Sequence, residues 1–238
     1  MRIRGGKYLL GEQKFLLEVY QKLYDHYGPR HWWPAETEFE VMAGAVLTQN
    51  VAWRNVEKAI ALLKQRGLMN PEALYHVELS LLEELIVPSR YYKAKAKKLK
   101  ALAGLIMEEF GGNLAEMFNL PPLSLRARLL QVYGIGPETA DSIILYAAKK
   151  PIFVVDAYTR RIFHRLGVFS PDAGYQVMQD YFMRALPHQA ELFNEYHALI
   201  DCLGHRLCKT TDPKCILCPL KDICRIEVGC ERLDVGNL

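Results

Sequence analysis

No stretch of about 18 consecutive apolar residues occurs in this sequence, and its opening residues, MRIRGGKYLLGEQ, turn polar at once. A helical membrane span and a secretory leader are therefore not expected. The reading is a soluble cytoplasmic protein in a compartment that keeps thiols reduced. A strong charge of one sign is also lacking: 30 Lys and Arg stand against 27 Asp and Glu, a formal net charge of +3. This balance permits nucleic-acid binding without demanding it, so any basic surface must come from local clustering. Strand signals are nearly absent. The one strand-like run, IFVV at 152–155, is too short and isolated to build a sheet and reads as an extended approach to the next helix. There are no repeats and no low-complexity segments. With half of the 238 residues hydrophobic and 11% aromatic, nothing points to disorder.

Helical periodicity fills most of the chain. Phe15, Val19 and Leu23 recur at four-residue steps, while Phe39, Met42 and Val46, and Leu99, Leu102 and Ile106, recur at three and four. Breakers such as Gly28-Pro29, Asn70-Pro71, Gly111-Gly112, Pro121-Pro122 and Ser170-Pro171 separate these runs and leave room for about ten helices. The predicted fold class is all-α, large enough for one sizeable domain or two small ones. One helix, from about Arg90 to Phe110, opens with RYYKAKAKKLK: six positive charges, no acid, and tyrosines among the lysines. That pattern suits a solvated lysine face or a surface that contacts phosphates, with Lys93 and Lys95 as candidate contacts.

Three segments carry chemistry. In LLQVYGIGPETA (129–140) an apolar helix breaks at Gly134-Ile135-Gly136 and resumes after Pro137, which suits a first helical turn. The glycines permit unusual φ values and bare backbone, Ile135 points inward as a pin, and amides at a helix start suit a phosphate oxygen. In VVDAYTRR, Asp156 follows an apolar extended run and opens a helix. Taken alone it reads as an N-cap. Near the C-terminus Cys208, Cys215, Cys218 and Cys224 form a C-x6-C-x2-C-x5-C run. Four thiolates in one short loop can close around an iron–sulfur cluster or a structural zinc. The single compact run favours the cluster, with disulfides third. Cys202, in ALIDCLG, reads as a small core residue. Cys230 has no evident role. His197 and His205, near the cysteine run, read as structural histidines.

GIGPETA, VVDAYTRR and the four-cysteine run, in this order, resemble the endonuclease III branch of the helix–hairpin–helix DNA glycosylases. FEVMAGAVLTQN and YYKAKAKKL resemble that family's first barrel helix and its Y-x-x-K-A segment, so the likeness spans nearly the whole chain. The resemblance implies two all-α lobes flanking a DNA cleft. One is a six-helix barrel over 31–149, with the helix–hairpin–helix at about 124–148. The other joins 1–30 to 150–238 and carries a [4Fe–4S] cluster on the 208–224 loop.

It further implies base excision repair on double-stranded DNA containing a damaged base, by a monomer of the cytoplasm and nucleoid. Gly134, Ile135, Gly136 and Thr139 fall on the hairpin. Gln49 or Asn50 falls where a polar residue fills the gap left by a flipped base. Asp156 matches the catalytic aspartate: cleaving an N-glycosidic bond builds positive charge on the sugar, which a carboxylate stabilises, or the carboxylate activates water. Bifunctional members carry a lysine directly before the Thr of the hairpin, and here that residue is Glu138. A carboxylate forms no imine, so a monofunctional glycosylase is expected, with Glu138 assisting Asp156 or facing solvent. The tryptophans Trp32, Trp33 and Trp53 flank FEVMAGAVLTQN and read as core or as an aromatic base pocket. The set WWP, LTQN-x-x-W and GIG-x-E-[ST]-A-D resembles the 3-methyladenine DNA glycosylase subgroup, whose cationic lesion suits indole faces. The rival readings are a glycosylase and lyase acting on oxidised pyrimidines through another lysine, such as Lys93 or Lys95, and a non-catalytic iron–sulfur DNA-binding protein.

Overall fold

The computed structural model describes residues 5–225, with side chains from Leu10 onward, and these residues form helices, turns and extended connections with no strand. Cys230 lies outside the described residues. Twelve α-helices run in order: α1 (Gly5–Tyr27), α2 (Glu38–Leu47), α3 (Trp53–Gln65), α4 (Pro71–His76), α5 (Leu79–Leu85), α6 (Tyr92–Phe110), α7 (Leu114–Asn119), α8 (Pro122–Gln131), α9 (Pro137–Ser142), α10 (Ala157–Arg165), α11 (Tyr175–Ala185) and α12 (Ala190–Arg206). The count exceeds ten in part because α4 and α5 divide at Val77-Glu78, a junction with neither glycine nor proline to announce it. The run at 152–155 is extended and buried, and it leads into α10 as its sequence suggests.

The chain divides into two compact units. A continuous unit holds Trp33–Val154 with Gln189–Glu191, and a discontinuous unit holds the described residues up to Trp32, Val155–His188 and those from Leu192 on. The divisions fall at 32/33 and 154/155, a few residues beyond the expected 30/31 and 149/150. The apolar side chains of Ile152, Phe153 and Val154 are buried and go with the continuous unit.

In the continuous unit α2 is apolar all round and buried from Phe39 to Leu47, the mark of a central helix. It packs against α3, α6, α9 and the wide helical turn that follows α9. Thr37 caps its start, its hydroxyl accepting from Glu40 N at 3.1 Å, while Glu40 Oε2 accepts from Glu36 N at 3.0 Å. On α6 the stripe Leu99, Leu102 and Ile106 is buried as the periodicity predicts. The helix starts at Tyr92, two residues later than expected, because Arg90 and Tyr91 both take left-handed φ values of 55° and 44°. α9 widens into one π-helical turn, Ile143–Ala147, whose side chains are all buried. Arg126 on α8 donates to both carboxylate oxygens of the fully buried Asp141 on α9, at 2.7 and 3.1 Å. This fork fixes the angle of the two helices that flank the glycine turn.

In the discontinuous unit α1 buries Leu16, Val19 and Leu23 completely. The stripe runs through Leu16, and Phe15 beside it is half-buried. α1 packs on α11, where Arg184 donates to both oxygens of Glu12. Tyr196 on α12 donates its hydroxyl to Leu16 O at 2.8 Å. Phe163, Phe182 and Tyr196 meet edge to face in the same core, with ring centroids 4.8 and 6.2 Å apart. Cys202 is buried there.

Candidate active site and nucleic-acid interface

The glycine turn between α8 and α9 is pinned by Ile135, which is buried and donates its amide to Val132 O at 3.1 Å. Only one of its glycines is conformationally required. Gly134 has φ +76°, and the methylenes of Lys98 lie where its Cβ would stand. Gly136 has φ −95°, which any residue adopts, and a Cβ there would meet nothing within 4 Å. Its value is the open space above it. Gly136 is the N-cap of α9 and offers no side-chain cap, so the start of the helix is bare backbone. Glu138 is exposed in the first turn, where negative charge suits the helix dipole.

Gln49 and Asn50, adjacent in sequence, differ in placement. Gln49 Nε2 donates to Thr139 Oγ1 at 2.9 Å and to Gly134 O at 3.3 Å, and Lys98 Nζ donates to Gln49 Oε1. Gln49 is thus a tether between the turn after α2 and the hairpin. Asn50 is exposed, at φ 55°. Thr139, with Gln49 on its hydroxyl, is buried rather than presented outward.

Lys93 is exposed on α6, but Lys95 is not a surface contact. It is 2% exposed, and its amine donates to Leu47 O at 2.7 Å and Ser89 O at 2.6 Å. Lys95 falls on the inward stripe of α6, four residues before Leu99, so the helix carries it into the core. There it satisfies the carbonyl at the end of α2 and one in the turn before α6. Burial, and secondarily the Lys98 charge, push its amine down to about 8.

Trp33 and Trp53 meet edge to face, 5.4 Å apart at 85°, and Trp33 also meets the buried Tyr146 at 5.3 Å. Gly44 lets the Trp33 indole lie against α2, since a Cβ there would stand 3.1 Å from the ring. Trp53 Nε1 donates to Glu57 Oε1 at 2.9 Å, beside a cavity of about 210 Å³ that Pro34, Glu40 and Lys64 also line. Trp32 falls in the discontinuous unit.

Asp156 is the N-cap of α10. Its Oδ1 accepts from both the amide and the hydroxyl of Thr159 at 2.7 Å. Its Oδ2 makes neither bond and faces His197 Nε2 on α12 at 3.8 Å. Asp201, one turn further along α12, is an exposed residue whose carboxyl is pushed up, first by partial desolvation and then by the charge of Asp156. At the other end of α10, the four cysteines of the loop, with Arg165, Lys214 and Lys221, line one cavity of about 40 Å³. Arg165 donates to Cys208 Sγ at 3.2 Å, and Arg161 donates to Cys208 O at 2.7 Å. Among the described residues no three His, Cys, Asp or Glu side chains are grouped to hold a single metal ion. Arg206, Lys209, Lys214 and Lys221 are all exposed around this loop.

Sequence reasoning missed Tyr146, Asp201 and the Arg126–Asp141 fork, and it gave His197 no partner. The four-residue spacing of His197, Asp201 and His205 on one helix was the available signal.

Residues 43–188 match the model of the HhH-GPD superfamily base excision DNA repair protein. A protein of Methanocaldococcus jannaschii assigned to the DNA repair glycosylases is 45% identical over 217 residues, covering 90% of this chain and 98% of that one. The crystal structure of an H. pylori 3-methyladenine DNA glycosylase bound to 1,N6-ethenoadenine superposes with a TM-score of 0.67 at 30% identity, covering 81% of this chain and 94% of that one. An endonuclease III–DNA complex shares the fold at a TM-score of 0.75 and 22% identity, covering 90% of this chain and 95% of that one. The glycine hairpin, the capped aspartate and these likenesses agree: the chain belongs to the HhH-GPD superfamily of base excision DNA repair proteins and is a DNA repair glycosylase.

Proposed function

We propose that the protein is a monofunctional glycosylase that releases alkylated purines, such as 3-methyladenine, from duplex DNA by attack of water. The observation that carries this reading is Asp156: one carboxylate oxygen is fixed by Thr159, and the other, outside that cap and 3.8 Å from His197 Nε2, is the one proposed to face the sugar. As the C1′–N bond breaks, its electron pair leaves with the base. Positive charge builds on the sugar, and a fixed carboxylate stabilises it without reorganising. Water then supplies the new C1′–O bond and gives up a proton to the carboxylate.

Glu138, not an amine, stands at the hairpin position of the lyase lysine, and Lys95 has its amine committed to two carbonyls. Both support a hydrolytic outcome. The bare start of α9 and the exposed Lys93 suit backbone phosphates, which grip DNA without reading its sequence. Asn50, exposed beside the tethered Gln49, is the better placed of the two to enter the duplex. The Trp33–Trp53 pair and the 3-methyladenine relative support an electron-deficient base, for which an indole face adds about 0.5–2 kcal/mol. A flipped base would be stacked against such rings. In this reading the protein acts as a monomer in the cytoplasm and nucleoid, with the continuous unit as the DNA-binding barrel and the discontinuous unit as the cluster domain.

Cys208, Cys215, Cys218 and Cys224 suit a [4Fe–4S] cluster. The thiols line one cavity, and Arg165 supplies positive charge to Cys208 Sγ. Bound there, the cluster would order the loop and take no part in bond cleavage.

A base-release assay over methylated adenine, oxidised pyrimidines, uracil and mismatched thymine tests the lesion. Release of the methylated base is expected, and release of thymine glycol with inertness toward methylated DNA overturns the assignment. Borohydride is expected to trap no covalent complex on substrate DNA. Efficient trapping restores a lyase.

A further inference from the structure

One face of α3 carries Trp53, Glu57, Ile60 and Lys64, spaced by four, three and four residues. With Pro34 and Glu40 these side chains line the cavity of about 210 Å³, and all of them belong to the continuous unit. Its charges do not balance. Among the described residues Lys64 is the one cation that lines it, and two carboxylates share that amine: Glu40 at 2.8 Å and Glu36, outside the cavity, at 3.0 Å. Glu40 is 5% exposed and also accepts from Glu36 N, so its charge is taken up locally. Glu57 is exposed, and its Oε1 accepts from a neutral group, the Trp53 Nε1–H at 2.9 Å. That bond acts on the indole in two ways. It holds the ring by one edge, while Trp33 meets it at 5.4 Å and 85°. It also sets a carboxylate against the positive edge of the ring, which leaves more negative charge on the face. A cation over that face is attracted by the ring quadrupole and by the carboxylate itself. A neutral ring of the same shape gains stacking alone.

We propose that Glu57 is a specificity-determining residue: by holding Trp53 through Nε1 and keeping a negative charge beside the cavity, it makes this aromatic wall prefer a positively charged flat ring to a neutral one. The assignment rests on Trp53 belonging to the base pocket, and it deepens that reading. Stacking by itself holds 3-methyladenine and 1,N6-ethenoadenine alike, since both are flat purines and only the first is a cation in DNA. The choice between them then falls to the carboxylate behind the ring. Position and charge are separable here. An amide at position 57 still accepts from the indole N–H and keeps the ring in place, but it adds no charge to the face.

The test uses the full-length protein with Glu57→Gln, which removes the charge alone, and Glu57→Ala, which removes the charge and the acceptor, each checked for native melting. Without DNA, the Trp53 indole N–H resonance, assigned with Trp53→Phe, is followed by NMR during titration with N-methylquinolinium, a permanent cation, and with quinoline, its neutral counterpart. Single-turnover release is then compared on methylated duplex and on duplex carrying 1,N6-ethenoadenine. The wild type is expected to bind the quinolinium about threefold to tenfold more tightly than quinoline, and Glu57→Gln to lose that preference. Release of 3-methyladenine should fall by the same factor in Glu57→Gln while release of ethenoadenine holds. Glu57→Ala should weaken both, because the ring is no longer held. A helix-surface contact with no other role would move melting and neither ratio. If Glu57→Gln keeps the wild-type preference for quinolinium, or if the indole resonance ignores both probes, the proposal fails whatever the lesion. If the preference is lost but neither purine is released, Glu57 still sets the charge selectivity of this wall, and it is the base-pocket reading of Trp53 that fails.

Discussion

Two helices of the chain, one in each unit, begin in opposite ways. α9 starts at Gly136, with no side chain over its first amides and open space where a Cβ would be. α10 starts at Asp156, whose carboxylate takes up the amide of Thr159. Both starts are satisfied by negative charge, as helix dipoles require. The first leaves that charge to come from outside, as a phosphate would bring it. The second carries its own charge and fixes it in place. A helix start can thus be a receptor for an anion or a mount for one, and the choice is made by a single residue at the cap.

The largest expected effect comes from removing the frame beneath the bare start. Arg126→Met removes the two-pronged guanidinium contact from the buried Asp141 carboxylate and should cost about 3–5 kcal/mol, read as a fall in melting temperature and in DNA affinity together. Asp156→Asn separates cap from chemistry, since asparagine also caps helices. Base release should fall by on the order of 10²–10³-fold while melting and DNA binding stay near wild type. A large loss of stability would mean that the residue is a cap first.

Lys95→Met should cost about 1–3 kcal/mol, because two buried carbonyls lose their donor. Its pH dependence carries a sign. The folded amine titrates at about 8, below the ~10.4 of an unfolded lysine. Between those values the unfolded chain binds the proton and the folded one does not. The contribution is full above the unfolded value and declines as pH falls to 8, so the gap in melting temperature between wild type and variant widens from pH 8 to pH 10.

The smallest effects sharpen the comparison most. Gly134→Ala forces a side chain into left-handed φ and against Lys98, and should destabilise by about 1–3 kcal/mol. Gly136→Ala meets neither obstacle. It should leave melting within about 0.5 kcal/mol and weaken DNA binding alone, because a methyl group then stands over the bare amides.

Local chemistry was legible in the sequence. The all-α class, the glycine turn with its isoleucine pin, the capping aspartate and the cysteine run each rest on residues within a few positions of one another. What stayed hidden involves helix faces and distant partners. Lys95 sits in a run of six positive charges, and the run's composition masks that one lysine falls on the stripe of Leu99 and Leu102. The Arg126–Asp141 fork joins two helices across a turn, and either residue alone reads as surface charge. Gln49 and Asn50 are chemically alike and adjacent, so only the fold shows that one ties down the hairpin and the other faces out. His197 reads as a bystander until α12 is laid against α10.

The short span of α10 has a consequence of its own. Its first residue is preceded by Asp156, and its last residue, Arg165, accepts the Arg225 amide and the Cys224 thiol at its carbonyl while reaching Cys208 with its guanidinium. Nine residues therefore act as a strut, bolted at one end to the cysteine loop and bearing the acid at the other. Damage to the loop should therefore be felt as a wobble at the far tip, where Asp156 sits, before the helix itself is lost.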